Sequence, residues 1–229
     1  MEERDYYLKR RAVNRLQAVK HVVTEFIQKR KQDRIGLVAF GTKAYLECPL
    51  TLDHSLLTQF VNSLRIGTAG KGTAIGDGLG LSLKRIRKIN AKSKAIIVLT
   101  DGVNNSGNVN PLQAASIAKK LDITIHTIAI GSPNKNKQSR FPQSSQNNSV
   151  DQELLQKISE TTSGFFFNAQ NIEELQNIYS KIDELEQSEE KEPEQLQVTE
   201  KYVLFLALGL ILYSLYILLT SSFFMRLPS

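Results

Sequence analysis

The stretch Lys94–Gly107, KAIIVLTDGVNNSG, decides the fold prediction. Residues 95–99 form an unbroken apolar run rich in β-branched side chains, which is typical of a strand buried on both faces of a parallel sheet. Asp101 follows the run, so it lies at the carboxyl end of the predicted strand, where open α/β sheets bind their ligands. Because a buried carboxylate needs a partner, Asp101 is a candidate binding residue. The alternative is that Asp101 only caps the turn after the strand.

Strand and helix patterns alternate on both sides of this stretch. Buried-strand patterns cover residues 34–41 and 123–131, and a short aromatic strand is predicted at 164–168. Apolar residues at helical spacing follow Asn14, Asp53, Gly78, Asn110, Asp151 and Asn171. This alternation predicts an α/β fold, a doubly wound and mainly parallel sheet with helices on both faces. Right-handed crossovers place the loops after residues 40, 100 and 131 on one rim. Residues 1–13 are polar and show no strand pattern.

Composition excludes several classes of function. The chain has 229 residues and a net charge of +6, but its basic residues lie on helix-like segments with few aromatics, which indicates solvated faces and no nucleic-acid groove. A single cysteine, Cys48, excludes an internal disulfide and a cysteine-based metal cage. It is interpreted as a packing residue. His21, His54 and His126 follow no ligand spacing, so no zinc site is expected.

The carboxy-terminal segment is strongly apolar. Tyr202–Thr220 carries no charge over about 19 residues, the length needed to cross a bilayer. The predicted domains are therefore a globular domain at 1–187, a charged linker at 188–200, one transmembrane helix at 201–221 and a short tail at 222–229. The flanking charges do not determine the orientation of the helix.

The predicted rim offers oxygen ligands. The glycine-rich stretch Gly67–Gly78 lacks the spacing of a phosphate-binding loop, so flexibility is the simpler interpretation. Thr73 within it and Asp101 at the strand end supply a hydroxyl and a carboxylate. Such oxygens suit Mg²⁺, which keeps several waters and needs few protein ligands.

Two motifs resemble a known family. GTAIGDG at Gly72–Gly78 and LTDGVNNSG at Leu99–Gly107 resemble the second and third ion-binding loops of von Willebrand factor A domains. The membrane-anchored, BatA-type aerotolerance-associated bacterial proteins are the most similar members. The supporting stretches are NRLQAVK at Asn14–Lys20, DRIGLVAFG at Asp33–Gly41, PLTLDHSLL at Pro49–Leu57 and the terminal FFMRLPS.

The resemblance implies a binding module without catalytic residues. In the family, a divalent ion (Mg²⁺, Mn²⁺ or Ca²⁺) at the metal-ion-dependent adhesion site bridges to an acidic side chain of a partner protein. Carried over, Thr73 and Asp101 are the ion ligands, Asp101 through water. The implied partners are other Bat proteins, a MoxR-type AAA+ ATPase and the lipid bilayer. The implied location is the bacterial inner membrane, with the domain on the periplasmic side.

One family motif has no match. The first ion-binding loop, D-x-S-x-S, ends the first central strand in relatives, and Met1 stands where a methionine directly follows that loop. The sequence is therefore expected to start at an internal methionine and to lack that strand. Two consequences follow for the fold and the site. The strands at 35–40 and 95–99 are expected not to pair directly, and the ion is expected to be held weakly or not at all.

Two other functions remain open. The first is a degenerate, metal-free interaction remnant. The second is a Mg²⁺-dependent phosphoryl-transfer enzyme that uses Asp101, with Lys71 as the nearby lysine. The long polar loop at 132–149 lies on the predicted rim, where it either tunes partner choice or is an unselected insertion.

Overall fold

The computed structural model describes residues 1–8, 11–131 and 151–190, together with residues 206, 209, 210, 212–214, 216 and 217. The chain divides into two compact units, residues 1–191 and 192–229. The predicted polar loop at 132–149 and most of the predicted linker lie outside the described residues. The sheets, the apolar clusters and the candidate site described here all lie in the first unit.

Helices and strands alternate along the first unit, as the sequence predicts. The helices are α1 Arg15–Lys29, α2 His54–Ser63, α3 Ile75–Ile86, α4 Pro111–Lys120, α5 Gln152–Thr161 and α6 Ile172–Glu190. The strands are β1 Tyr6–Leu8, β2 Arg11–Val13, β3 Ile35–Phe40, β4 Ala44–Thr51, β5 Ala95–Thr100, β6 Thr124–Ile130 and β7 Phe166–Ala169.

Side-chain caps fix where several helices begin. Asn14 and Gln17 form a reciprocal capping box at the start of α1. Asp53 caps α2 by accepting from the Leu56 amide, and Asn110 caps α4 immediately before a proline at the first helical position. These caps confirm the predicted helix starts.

The described strands form three separate sheets. A parallel sheet runs in the order β5–β6–β7, while β1–β2 and β3–β4 are antiparallel pairs. The predicted parallel sheet is confirmed for β5–β6–β7, and the two antiparallel pairs are separate from it among the described strands. β3 and β5 are not paired with each other, as the sequence predicts, and among the described strands each has a partner on one edge only.

Helices cover both faces of the parallel sheet. One apolar cluster joins α3, α4 and α5 to one face, through residues such as Leu79, Ala115 and Leu155. A second joins α1 and α6 to the other face, through residues such as Val22 and Leu175. This two-sided cover is the α/β arrangement expected when every strand of a parallel sheet is apolar on both faces.

A third cluster packs the β3–β4 hairpin against α1 and α2. Cys48 lies in it with no exposed surface, beside Leu57 and Ile27, and its thiol is free. Burial raises the pKa of this thiol above its ordinary value. The interpretation of Cys48 as a packing residue is confirmed.

The amino terminus corrects the sequence analysis. Residues 1–13 carry the β1–β2 hairpin, although no strand was predicted there. Tyr6 explains the difference, because its ring is buried and its hydroxyl donates to the Ala169 carbonyl oxygen at 2.6 Å. A tertiary contact to the end of β7, which sequence periodicity does not show, therefore fixes this segment.

In the second unit, the described residues between 206 and 217 are helical and their side chains are exposed. None of the helices found among the described residues is both long enough and apolar enough to span a membrane. Much of the predicted span 201–221 lies outside those residues.

Candidate functional site

Three loops meet at the carboxyl ends of β3 and β5. The Gly41 carbonyl, just after β3, accepts a hydrogen bond from the Ala74 amide at 2.8 Å. Thr73 is joined to Asn105, in the loop after β5, by two bonds: its amide donates to Asn105 Oδ1 at 2.8 Å and its carbonyl accepts from the Asn105 amide at 3.1 Å. The glycine-rich loop therefore bridges the ends of the two strands. The predicted common rim is confirmed for these loops.

Glycine is required where the loops touch. A side chain at Gly102 would lie 2.7 Å from Thr73 Oγ1, and one at Gly41 would lie 2.5 Å from the Ala69 carbonyl oxygen. Both distances are shorter than Cβ contacts tolerate. These glycines let the glycine-rich loop lie directly against the strand ends, and the close approach at Gly102 places the Thr73 hydroxyl beside the residue that follows Asp101.

Asp77 fixes the loop after β5. Its Oδ1 accepts from the amides of Asn108 and Val109, at 2.9 and 2.8 Å, from a position in the first turn of α3. Asn104 strengthens the same junction, since its Oδ1 accepts from the Ile75 amide at 3.0 Å. Hydrogen bonds therefore join the two family motifs, at residues 72–78 and 99–107.

Asp101 lies against positive charge. Its carboxylate, about 20% exposed, lies 3.5 Å from Nη1 of Arg15. The partner that a carboxylate at a strand end requires is therefore cationic in this structure.

Arg15 is the centre of the charged cluster. Its side chain is about 10% exposed, and it donates to both oxygens of Asp5 and to Glu3. Burial alone would lower the pKa of Arg15, but the hydrogen bonds and charge of Asp5, with the charge of Glu3, raise it above its ordinary value. Its guanidinium also lies against Gly131, whose φ of +126° at the end of β6 favours glycine.

The donor set provides only part of a divalent-ion shell. Mg²⁺ takes six oxygens and commonly keeps waters for several of them, so Thr73 and Asp101 are suitable ligands in kind. The charge at the site opposes binding, because the Asp101 carboxylate already lies beside the Arg15 guanidinium. No group of three or more His, Cys, Asp or Glu side chains in the described part of the chain is arranged to hold a metal. A tightly held ion therefore does not fit the residues present.

The sequence predicted Thr73 and Asp101 as site residues, and it did not single out Arg15, Asp5 or Asp77. Arg15 and Asp77 both lie inside stretches that carry the family resemblance, NRLQAVK and GTAIGDG, so their positions were marked although their roles were not. Asp5 had no signal, since it lies in a segment without periodicity. The role of Asp5 depends on the β1–β2 hairpin, which brings it to Arg15.

Comparison with known proteins identifies the class of this fold. The family model for the von Willebrand factor type A domain matches residues 9–181. The chain belongs to this family, and the resemblance inferred from the sequence is confirmed.

Relatives and solved structures agree with this assignment. An uncharacterized protein from Borreliella burgdorferi is 30% identical over 216 residues, covering 92% of this chain and 63% of that protein. A UPF0353 protein from Mycolicibacterium paratuberculosis is 28% identical, covering 74% of this chain and 53% of its own length. The chain therefore spans between half and two thirds of the length of these relatives.

The fold is also seen in solved structures. A crystal structure of a conserved hypothetical protein, BatB from Bacteroides thetaiotaomicron, has a TM-score of 0.64 at 22% identity and covers 81% of this chain and 92% of its own. Proximal thread matrix protein 1 from the mussel byssus, solved with a zinc-occupied adhesion motif, has a TM-score of 0.59 at 19% identity and covers 74% of this chain and 40% of its own. At these identities the likeness concerns the fold.

Proposed function

We propose that this chain is a membrane-anchored von Willebrand factor A module that binds protein partners at the rim of its sheet. Thr73 and Asp101 contribute two oxygen ligands to a weakly held divalent ion, and an acidic side chain of the partner completes the site. The observation that carries the proposal is the close approach of Thr73 Oγ1 to Gly102, next to Asp101 at the end of β5. Mg²⁺ is the expected ion because both donors are hard oxygens.

Binding of Mn²⁺, a paramagnetic substitute for Mg²⁺, tests the ligand assignment. We expect the full chain to bind one Mn²⁺ weakly in an electron paramagnetic resonance titration, and Asp101→Asn and Thr73→Val each to weaken that binding at least tenfold. Asp122→Asn is the matched control, since this residue has a positive φ that asparagine also tolerates and lies in the turn before β6. Equal binding by all four proteins would contradict the assignment.

The Arg15–Asp101 contact favours a second candidate, a metal-free interaction module. In that case Arg15 supplies the positive charge that an ion supplies in other members of the family. Partner binding that is equal with EDTA and with Mg²⁺, and that is lost in Arg15→Gln, would select this candidate over the first.

The partner class is also proposed. Other Bat-type proteins and a MoxR-type AAA+ ATPase are the expected partners, supported by the BatA-like motifs and by the fold shared with BatB. Co-purification of the tagged full chain with these proteins from the same source tests this, with Asp101→Asn as the comparison. We expect loss of the partners in the variant but not in Asp122→Asn.

Membrane anchoring rests on the uncharged segment Tyr202–Thr220, and a periplasmic domain is the proposed orientation. Binding is preferred over phosphoryl transfer because Asp101 is engaged by Arg15 and Lys71 is exposed. A phosphatase activity that Asp101→Ala abolishes would reverse that preference.

A further inference from the structure

A strongly basic surface lies at the end of the sheet opposite the candidate site. Between residues 84 and 94 the chain carries six basic side chains and no acidic one. This stretch contains the last turn of α3 and the loop that leads into β5. Two further lysines end α4. The basic face, as we call this surface, consists of Lys84, Arg85, Arg87, Lys88, Lys92, Lys94, Lys119 and Lys120.

Hydrogen bonds place the basic face at the amino ends of the parallel strands. The Thr124 amide, at the start of β6, donates to the Lys94 carbonyl oxygen at 3.0 Å, so the loop before β5 lies beside the start of β6. The Ile123 amide donates to the Ala118 carbonyl oxygen at 3.0 Å and joins the end of α4 to the same place. The twelve residues of α3 span about 18 Å. They separate the basic face from the rim, where α3 begins.

Helix electrostatics explains only part of this charge. Cations in the last turn of a helix lie beside unpaired carbonyls and are favourable there, which accounts for residues 84–85 and 119–120. Arg87, Lys88 and Lys92 lie beyond the end of α3, and their side chains are exposed. Within the described part of the chain, no residue of the basic face forms a salt bridge.

The acidic side chains near the basic face leave it strongly positive. Asp183 of α6 is engaged by Arg30, and Glu186 of α6 is engaged by His126 and by a serine before β5. Asp122, in the turn before β6, is exposed and offsets one of the eight cations. The basic face therefore attracts an anionic partner from outside this unit.

The helix α6 also ends at this end of the sheet. Glu186 accepts from Ser93 Oγ, just before β5, at 2.9 Å and lies 2.9 Å from Nε2 of His126 near the start of β6. The last residue of α6 is Glu190, and the uncharged segment Tyr202–Thr220 begins twelve residues later. Twelve extended residues cover at most about 40 Å. The tether of an anchored chain therefore starts at the end of the sheet that carries the basic face, and the rim is the far end.

The exposed neighbours of the basic face favour a lipid surface over a nucleic acid. Leu121, directly after Lys120, is 37% exposed, and Ile117, one turn earlier, is 50% exposed. Exposed apolar side chains beside cations are typical of elements that bind at the boundary between lipid headgroups and acyl chains. Proteins that bind single-stranded nucleic acids stack bases on aromatic side chains. Residues 84–94 and 117–121 contain no aromatic residue.

We propose that the basic face binds the anionic headgroups of a phospholipid bilayer, and that this contact holds the rim away from the membrane, where protein partners reach it. The inference rests on the proposed membrane anchoring and concerns a surface separate from the ion ligands. Each basic residue near an anionic membrane strengthens binding about fivefold, and salt weakens the attraction by screening. Leu121 and Ile117 add apolar contact at the headgroup boundary.

Fluorescence quenching in reconstituted vesicles tests the proposal on the full chain. One reporter is Asn90→Cys, an exposed position between two lysines of the basic face, and its matched control is Asn108→Cys, exposed in the loop after β5 at the rim. Cys48 is buried and its pKa is raised, so a fluorophore labels the introduced thiol selectively. The quencher is a spin label on a lipid headgroup. We expect addition of phosphatidylglycerol to phosphatidylcholine vesicles to increase quenching at residue 90 at least twofold and to leave residue 108 unchanged.

Charge variants assign this increase to the basic face. The first variant neutralises three of its exposed cations, by Lys84→Gln, Arg87→Gln and Lys88→Gln together. The control neutralises the same residue types, exposed around the rim, by Lys43→Gln, Arg65→Gln and Lys71→Gln together. We expect the first variant to lose the lipid-dependent increase at residue 90 and the control to keep it. Equal quenching in neutral and anionic vesicles would overturn the proposal, as would an increase that survives the first variant or that occurs at residue 108 in place of residue 90.

Flotation with vesicles separates this inference from the proposed function. A chain that floats with neutral vesicles is anchored, so a missing increase in quenching then contradicts the basic face alone. A chain that floats only with anionic vesicles, and not after the three charges are removed, contradicts the anchoring and supports the basic face. A chain that floats with neither contradicts both. Binding of a single-stranded oligonucleotide that the first variant loses, without any change caused by lipid, would assign the basic face to nucleic acid and overturn the proposal.

Discussion

β5 and β6 are neighbours with similar apolar sequences, AIIVLT and TIHTIAI, and their burial is very different. In β6, all residues from Ile125 to Ile130 are buried, whereas in β5 only Val98 and Thr100 are. The difference arises from the edges, since β6 lies between β5 and β7 while β5 pairs only with β6 among the described strands. Burial of a strand therefore depends on its neighbours as much as on its own side chains.

The two sides of β5 are also stabilised by different interactions. On the closed side of β5, a continuous parallel ladder and two apolar clusters carry the fold. On the open side, the β3–β4 hairpin is attached through α1, α2, α3 and the rim loops, without a strand partner for β3 other than β4 among the described residues.

The largest expected effect is in the closed ladder. Ile128→Ala should lower the free energy of unfolding by about 2–5 kcal/mol, because it leaves a cavity at a fully buried position. Ile97→Ala removes the same atoms from the half-buried β5 and should cost roughly 1–2 kcal/mol, since less apolar surface is lost. Urea denaturation of both variants measures the difference. Equal losses would show that β5 is as well packed as β6 in solution.

A smaller effect is expected where α3 bridges the open side. A Cβ at Gly76 would lie 1.9 Å from the Val109 carbonyl oxygen in the loop after β5, so Gly76→Ala should destabilise the domain by about 1–3 kcal/mol. Gly80, one turn further along α3, has nothing closer than 3.7 Å. Gly80→Ala should therefore stabilise the helix by about 0.5–1 kcal/mol.

Thermal unfolding measures both effects. We expect the Tm to fall in Gly76→Ala and to rise in Gly80→Ala. Two stabilising shifts would mean that α3 and the loop after β5 are not in close contact. The bridge across the open side would then rest on other contacts.

The sequence predicted the elements better than their assembly. Caps such as Asn14 and Asp53 and the apolar run at 95–99 are local signals, and the structure follows them. The β1–β2 hairpin was missed because its formation depends on the distant Ala169 carbonyl that Tyr6 reaches. Local patterns contain no information about such a partner.

The candidate site shows the same division. Thr73 and Asp101 were chosen because both lie in the quoted family motifs, and Asp101 also follows a predicted strand. Their role as ion ligands stays a prediction. Arg15 was missed because a helical arginine is ordinarily a surface residue. The tertiary structure shows that the Arg15 side chain is almost entirely enclosed, because the β1–β2 hairpin brings Asp5 against it.

The smallest expected effect concerns a polar clamp on the closed side. Glu186, in α6, accepts from Ser93 just before β5 at 2.9 Å and lies 2.9 Å from Nε2 of His126 in β6. The Phe165 amide donates to Nδ1 of the same imidazole, so the proton of the neutral ring is on Nε2 and points at Glu186. Burial alone would raise the pKa of Glu186, but these hydrogen bonds outweigh it and lower the pKa below its ordinary value of 4.5.

A carboxylate whose pKa is lowered on folding stabilises the folded state above its unfolded pKa, and this contribution is lost as the pH falls through the folded pKa. Wild-type protein should therefore be more stable than Glu186→Gln at pH 7, and the difference should shrink as the pH falls below about 4.5. Urea unfolding between pH 7 and pH 3 measures this difference in stability.

Glu153→Gln is the matched control. The pKa of Glu153 is also lowered, by Lys157, but the Glu153 side chain is fully exposed to solvent. A pH dependence as large for Glu153 as for Glu186 would show that the clamp adds nothing beyond a surface ion pair, and that the closed side is held by its ladder and apolar clusters alone.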